Sequence, residues 1–217
     1  MLHICGLNLN PHNKMNFIKK NYGWIIVALL ATLPLIIILK MINIDLVNGF
    51  TFAENTVEEN TTTPDMLYHV SGEFAIRWMT AVLTLTPFYI LFGVTNLFVR
   101  QAMGIATAFW SILHFIIFIG SEGFLATFTQ ANYIAGFAAI LILVPLLFTS
   151  NRKSMKALKE NWKRLQSLVY GAVLLSLLHI AILNKTWIIY TVIVGLGFII
   201  RIPVIKTKLI ERRKNKG

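Results

Sequence analysis

The sequence predicts an all-α membrane protein, a bundle of six transmembrane helices with both termini in the cytoplasm. Three observations carry that expectation. Hydrophobic residues make up 56% of the 217-residue chain and charged residues only 13%, with a mean hydropathy of +0.68; polytopic membrane proteins look like this and soluble domains of this length do not. Six stretches approach the roughly 20 apolar residues that cross a bilayer: 24–44, 75–99, 103–119, 133–148, 165–183 and 187–205. The basic residues are also sorted by loop. With loops assigned alternately, one side holds Lys14, Lys19, Lys20, Arg100, the six from Arg152 to Arg164 and the seven from Arg201 to Lys216, against Lys40, Arg77 and Lys185 on the other, 17 to 3. The positive-inside rule places the richer side in the cytoplasm.

The same distribution answers the net charge of +11. Spread over membrane-flanking loops, with Asp45, Glu54, Glu58, Glu59, Asp65, Glu73 and Glu122 on the opposite side, it argues for anionic membrane lipids and against nucleic acid. Cys5 is the single cysteine, which excludes an intrachain disulfide and a multi-cysteine metal site. The six stretches take up most of these 217 residues, so flavin, nucleotide or molybdenum chemistry is expected on another protein.

Taken in order, residues 1–23 read as a cytoplasmic leader containing His3, Cys5 and His12, to which no role is assigned; Met15 offers a second place for translation to start. Trp24 marks the membrane interface, and the first crossing, which contains Pro34, reads as an uncleaved anchor. Residues 45–72 form an external acidic loop, its polar segment 48–64 having little structure of its own. The second crossing bends near Pro87, and Arg100 closes it after a tight turn. The third and fourth follow, the fourth containing Gly136 and Pro145. Residues 150–164 form a basic cytoplasmic loop amphipathic enough to lie on the inner leaflet. The transmembrane domain spans 24–205, and 206–217 is a basic cytoplasmic tail.

Two histidines lie deep in apolar helices, where an ionisable side chain is costly without a partner or a task. His114 follows Arg100 by 14 residues and His179 follows Arg164 by 15, so each rises about 20 Å from a basic boundary at 1.5 Å per residue. Both helices run outward, and the two imidazoles reach equal depth in the outer half of the membrane. Equal depth is what one iron with two axial histidines requires, so the pair is expected to hold a haem. Gly104, Thr107 and Ser111 share a helical stripe with His114, and Ala172 and Ser176 lie below His179; small residues there leave space for a flat macrocycle or serve helix packing.

The segments HVSGEFAIRWMTAVLTLTPF, RQAMGIATAFWSILHF, ANYIAGFAAILILVPLLFTS and NWKRLQSLVYGAVLLSLLHI resemble successive helices of the ferric-reductase-like transmembrane family, over about residues 68–182. The resemblance implies a six-helix bundle that binds haem b and passes electrons to a periplasmic molybdenum-containing reductase acting on methionine sulfoxide. It places the iron ligands at His114 and His179. Where the family has a further histidine in a Trp-x-x-Leu-His pattern, this chain has Gln166, a poor iron ligand, which puts an inner haem in doubt. Arg100, at the corresponding height, cannot ligate iron while protonated but can pair with a propionate, a quinone oxygen or a lipid phosphate.

Arg77 and His69, near the outer end of the second helix, are candidates for propionate or quinone contacts. The expected function is that of an electron conduit in a bacterial inner membrane. Its donor would be quinol or a cytosolic flavin reductase; one outer haem b is expected, with quinone or FMN as a further cofactor. The rival readings are a ferric or other metal reductase of the same fold and a haem-free scaffold or transporter.

Overall fold

A computed structural model of the chain describes residues 11–45, 49–52, 63–94, 97–183 and 186–215. His3 and Cys5 lie outside these residues, as does most of the acidic segment 48–64. Helix α1 (Pro11–Thr32) stops before Pro34 and resumes as α2 (Leu35–Met41). Proline has no N–H to return to the preceding turn, and the Thr32 hydroxyl donates to the Ala28 carbonyl at 2.9 Å beside the break. A hairpin follows, β1 (Ile42–Asp45) antiparallel to β2 (Gly49–Phe52), in the register Ile42 to Phe52 and Asp45 to Gly49.

Helix α3 (Thr63–Phe92) runs for 30 residues and begins at Thr63, inside the stretch 45–72 that composition assigns to an external loop. Pro64 sits in the first turn, where no N–H is needed, and Asp65 complements the helix dipole there. These start signals outweigh the polar composition that suggests a loop. Helix α4 (Leu97–Glu122) packs along α3. A 3₁₀ turn (Phe124–Phe128) leads to α5 (Ala131–Thr149).

The basic segment 150–164 is helical too, as α6 (Arg152–Leu158) and α7 (Glu160–Ser167). The Asn151 side chain caps α6 by accepting from the Ser154 N–H at 2.9 Å, the usual service of asparagine at that position. Leu168, whose backbone stays helical, joins α7 to α8 (Val169–Ile182), so that Glu160–Ile182 is one apolar helix of 23 residues, and α8 packs along α5.

Helix α9 (Trp187–Arg201) lies against α3. The apolar pattern of the sixth crossing continues to residue 205, but the chain bends by 78° after Arg201 into α10 (Pro203–Lys214). Ile202 precedes proline and takes an extended ψ of 128°, because the proline ring disfavours a helical conformation in the residue before it. Among the described residues five helices are long and apolar enough to cross a membrane, or six if α9 and α10 count as one broken span.

The proline inside α3 has a partner. Proline leaves the Leu83 carbonyl without its helical donor, and Arg201 reaches across from α9 to supply one. The Arg201 guanidinium lies over the Tyr170 and Phe198 rings, 5.4 and 5.8 Å from their centroids, a desolvated setting in which cation–π attraction is strong. Arg213 on α10 donates to the carbonyls of Tyr89 and Ile90 at 2.6 and 3.0 Å, which holds α10 under the end of α3.

The packed interior falls into three groups. Met79, Leu83, Leu143, Val173 and Val194 join α3, α5, α8 and α9. Val27, Ala31, Ala102 and Ala106 join α1 to α4. Leu67, Trp110 and Ile117 fill the space under α2, where the Trp110 indole N–H donates to the Ala31 carbonyl at 3.0 Å. Leucines and isoleucines such as Leu39, Leu141, Leu174 and Ile188 face outward, as lipid-facing positions do. The α3–α4 pair and the α5–α8 pair face each other across a gap, and the gap contains the site.

Candidate functional site

Between the two helix pairs lies a cavity of about 450 Å³, and His114 and His179 both line it. The structure brings the two imidazoles together: their ring centroids are 6.3 Å apart and the planes meet at 73°. His114 comes from α4 and His179 from α8, so neither local helix geometry nor sequence neighbourhood creates the pairing.

Each ring is anchored through its Nδ1. His179 Nδ1 lies 2.7 Å from the Asn132 carbonyl oxygen. A carbonyl only accepts, so this nitrogen carries the proton. His114 Nδ1 lies 3.0 Å from the Ser71 Oγ, and the Ser71 hydroxyl is 2.6 Å from the Leu67 carbonyl. In both rings the Nδ1 is engaged by the protein, and the Nε2 is the nitrogen left for a ligand.

Two glycines let the rings sit where they do. A Cβ on Gly72 would lie 3.2 Å from His114 Cε1, and one on Gly136 would lie 3.1 Å from His179 Nδ1. Gly136 stands four residues after Asn132, on the same face of α5, so one helical turn offers both the carbonyl and the space. Of the small residues on the histidines' own helices, Ser111 and Ser176 line the cavity, whereas Ala172 is buried in core packing. A Cβ on Gly104 would meet nothing within 4 Å and would point into open space.

Aromatic side chains wall the cavity on the α4–α5 side. Phe115 stacks on Phe137 at 5.3 Å and Phe118 meets Tyr133 at 4.8 Å. At the end where α3 begins the lining turns polar, with Asp65, His69, Glu73 and Glu122. The Tyr190 hydroxyl donates to Glu73 at 2.9 Å, and Tyr68 approaches Glu122 at 3.4 Å.

The other residues singled out by sequence fall into two groups. His69 lines the cavity. Arg77 does not; it pairs with Glu73 at 2.8 Å, with its side chain 61% exposed. Arg100 is exposed and away from the cavity. Gln166 belongs to α7, and its amide donates to the Thr149 hydroxyl at 3.1 Å and the Leu146 carbonyl at 3.3 Å, both on α5. Gln166 and His179 stand on the same 23-residue apolar helix, with a turn at Leu168 between them.

Sequence reasoning missed Ser71, Gly72, Asn132 and Gly136. The signal available was a Ser-Gly pair and an Asn-x-x-x-Gly spacing inside otherwise apolar helices, where glycine is disfavoured without a packing reason. Among the described residues no group of three or more His, Cys, Asp or Glu side chains could hold a bare metal ion.

Comparison with known proteins places this architecture. The chain is 30% identical over 161 residues to the protein-methionine-sulfoxide reductase heme-binding subunit MsrQ of Agrobacterium fabrum, covering 68% of this chain and 73% of that protein. It is 32% identical over 124 residues to the MsrQ of Rhizobium meliloti, covering 54% of this chain and 57% of that one. The MsrQ of Brucella ovis is 29% identical over 153 residues, or 64% of this chain and 70% of that protein. No solved structure matches the chain. Residues 27–177, which begin inside the first long apolar helix, take in the next three and reach into the one carrying His179, match the family described as the ferric reductase like transmembrane component, and the chain belongs to that family of membrane proteins.

Proposed function

We propose that this chain is a membrane cytochrome b of a bacterial cytoplasmic membrane, an electron-transfer subunit of a methionine-sulfoxide reductase system. Its relatives carry the name of the heme-binding subunit of that system. The observation that carries the reading is the histidine pair: two imidazoles from two helices, 6.3 Å apart, each tied at Nδ1 and both edging one cavity.

The residues fit haem b. The 6.3 Å between the two ring centroids leaves space for an iron that the Nε2 nitrogens of His114 and His179 would hold. Haem b, when bound, supplies a reversible one-electron carrier.

The protein's part is to hold, orient and insulate. His114 and His179 offer the Nε2 nitrogens. Ser71 and the Asn132 carbonyl keep the rings from turning, the role that outer hydrogen bonds play for metal-bound histidine. Phe115, Phe118 and Phe137 keep one wall of the cavity apolar. At the polar end, His69 can donate a hydrogen bond to a propionate, while Arg77 reaches one only by leaving Glu73.

The reading extends to one haem per chain rather than two. The Gln166 amide, at the position where the family has a further histidine, is engaged by α5. A donor dissolved in the membrane then has the shorter approach, which favours quinol over a cytosolic flavin reductase, with a periplasmic reductase subunit as acceptor. Pyridine haemochrome assay of the purified protein is expected to give one haem per chain. His114→Ala and His179→Ala are each expected to abolish the low-spin reduced-minus-oxidised spectrum. A low-spin spectrum that survives in His179→Ala refutes the pairing.

A further inference from the structure

We propose that Ser71 is the positioning residue of His114, fixing by its hydroxyl which ring nitrogen turns to the cavity. The inference rests on the haem reading above and adds to it an asymmetry between the two ligands.

The hydrogen-bond direction follows from two distances. Ser71 is fully buried, and its Oγ lies 2.6 Å from the Leu67 carbonyl oxygen one turn earlier on α3. That carbonyl can only accept, so the single hydroxyl proton points to it. At 3.0 Å from His114 Nδ1 the same oxygen then has only lone pairs to offer. The contact is a hydrogen bond only if Nδ1 carries the proton, and the Nε2 lone pair is consequently free. The chain of donors runs from the His114 Nδ1–H to Ser71 and from the Ser71 hydroxyl to Leu67.

The serine is placed for this by its neighbour. Gly72 has no side chain, and His114 Cε1 occupies the space a Cβ would crowd at 3.2 Å. The pair Ser71–Gly72 therefore acts as one unit, glycine admitting the ring and serine choosing its tautomer. His179 is served differently, by the backbone carbonyl of Asn132 at 2.7 Å, which no side-chain substitution removes. His114 is the ligand whose orientation depends on one hydroxyl. A hydrogen bond to Nδ1–H raises the basicity of the liganding nitrogen, and a more basic ligand favours the ferric over the ferrous state.

The test uses the full-length haem-loaded protein in detergent, with Ser71→Ala and Ser71→Thr. The two readouts are the rate of haem transfer to excess apomyoglobin and the midpoint potential from a spectroscopic redox titration. Ser71→Ala is expected to lose haem about tenfold faster, the lower end of the loss seen when outer-sphere partners of metal ligands are removed. If that tenfold falls on the ferric state, the potential rises by about 59 mV. Ser71→Thr, which keeps the hydroxyl, is expected to stay at the parental values.

Parental behaviour of Ser71→Ala in both readouts overturns the proposal. So do equal changes in the Ala and Thr variants, which would assign the effect to packing. A parental protein that binds no haem overturns the haem reading and this inference with it, and is told apart by the missing Soret band before any variant is made.

Discussion

Replacing Gly136 by alanine puts a methyl group where α5 leaves room for the edge of an imidazole. The added Cβ would lie 3.1 Å from His179 Nδ1, 3.3 Å from Cε1 and 3.5 Å from Cγ, whereas unstrained carbon contacts sit at about 3.5–4.0 Å. The backbone is no obstacle: Gly136 is helical, and alanine there gains up to about 1 kcal/mol in helix propensity. The ring must therefore retreat by a few tenths of an ångström, but its Nδ1 is held at 2.7 Å by the Asn132 carbonyl of the same helix face.

Over-packing of this kind costs about 1–3 kcal/mol, and stretching the hydrogen bond adds to it. Taking about 2 kcal/mol as the net effect on the site, haem affinity falls roughly 30-fold at 1.4 kcal/mol per decade. Haem transfer to apomyoglobin measures this, with thermal unfolding followed in parallel to show that the fold survives. Gly104→Ala is the matched control. Gly104 shares the helical stripe of His114, yet nothing lies within 4 Å of its Cβ position, so haem retention is expected to be parental. A Gly136→Ala variant that keeps haem as well as the parent, or a Gly104→Ala variant that loses it equally, refutes the reasoning.

Three further outcomes are expected. Arg201→Met leaves the Leu83 carbonyl without a donor beside Pro87 and lowers stability by about 1–3 kcal/mol; Pro87→Ala restores a backbone N–H and suppresses most of that loss, so a double-mutant cycle by thermal unfolding in detergent that shows simple additivity counts against the pairing. Reporter fusions are expected to place α6, α7 and the C-terminus in the cytoplasm and residues 48–64 outside; a fusion in α6 that reports outside reverses the topology. Stopped-flow reduction in nanodiscs is expected to be faster with a quinol than with a flavin reductase, because a single haem at the depth proposed for His114 and His179 is remote from a cytosolic donor; the opposite order removes the argument from Gln166.

The sequence by itself determined the class, most of the spans and the two histidines that share the cavity. Apolar runs of bilayer length and basic residues sorted by loop are properties of composition and order, so they need no tertiary contact to be read. The depth match of His114 and His179 is likewise arithmetic on helix rise. The helix start at Thr63 escaped because polar composition outweighed the Thr-Pro-Asp start signal, and helices α6 and α7 because a basic amphipathic segment reads equally well as loop or helix.

Tertiary structure decided what the histidines touch. Whether a small residue beside a histidine makes room or merely packs depends on the helix opposite, and the decisive glycines, Gly72 and Gly136, stand on α3 and α5 rather than on the histidines' own helices. Arg77 could be foreseen near the outer end of α3, but its engagement by Glu73, one turn away, depends on rotamer choice and on Tyr190 from α9. The partnership of Arg201 with the carbonyl freed by Pro87 joins residues 118 apart in the chain. A helix fixes the direction of each side chain about its own axis, but only the packing of one helix against another fixes what stands at the end of that direction.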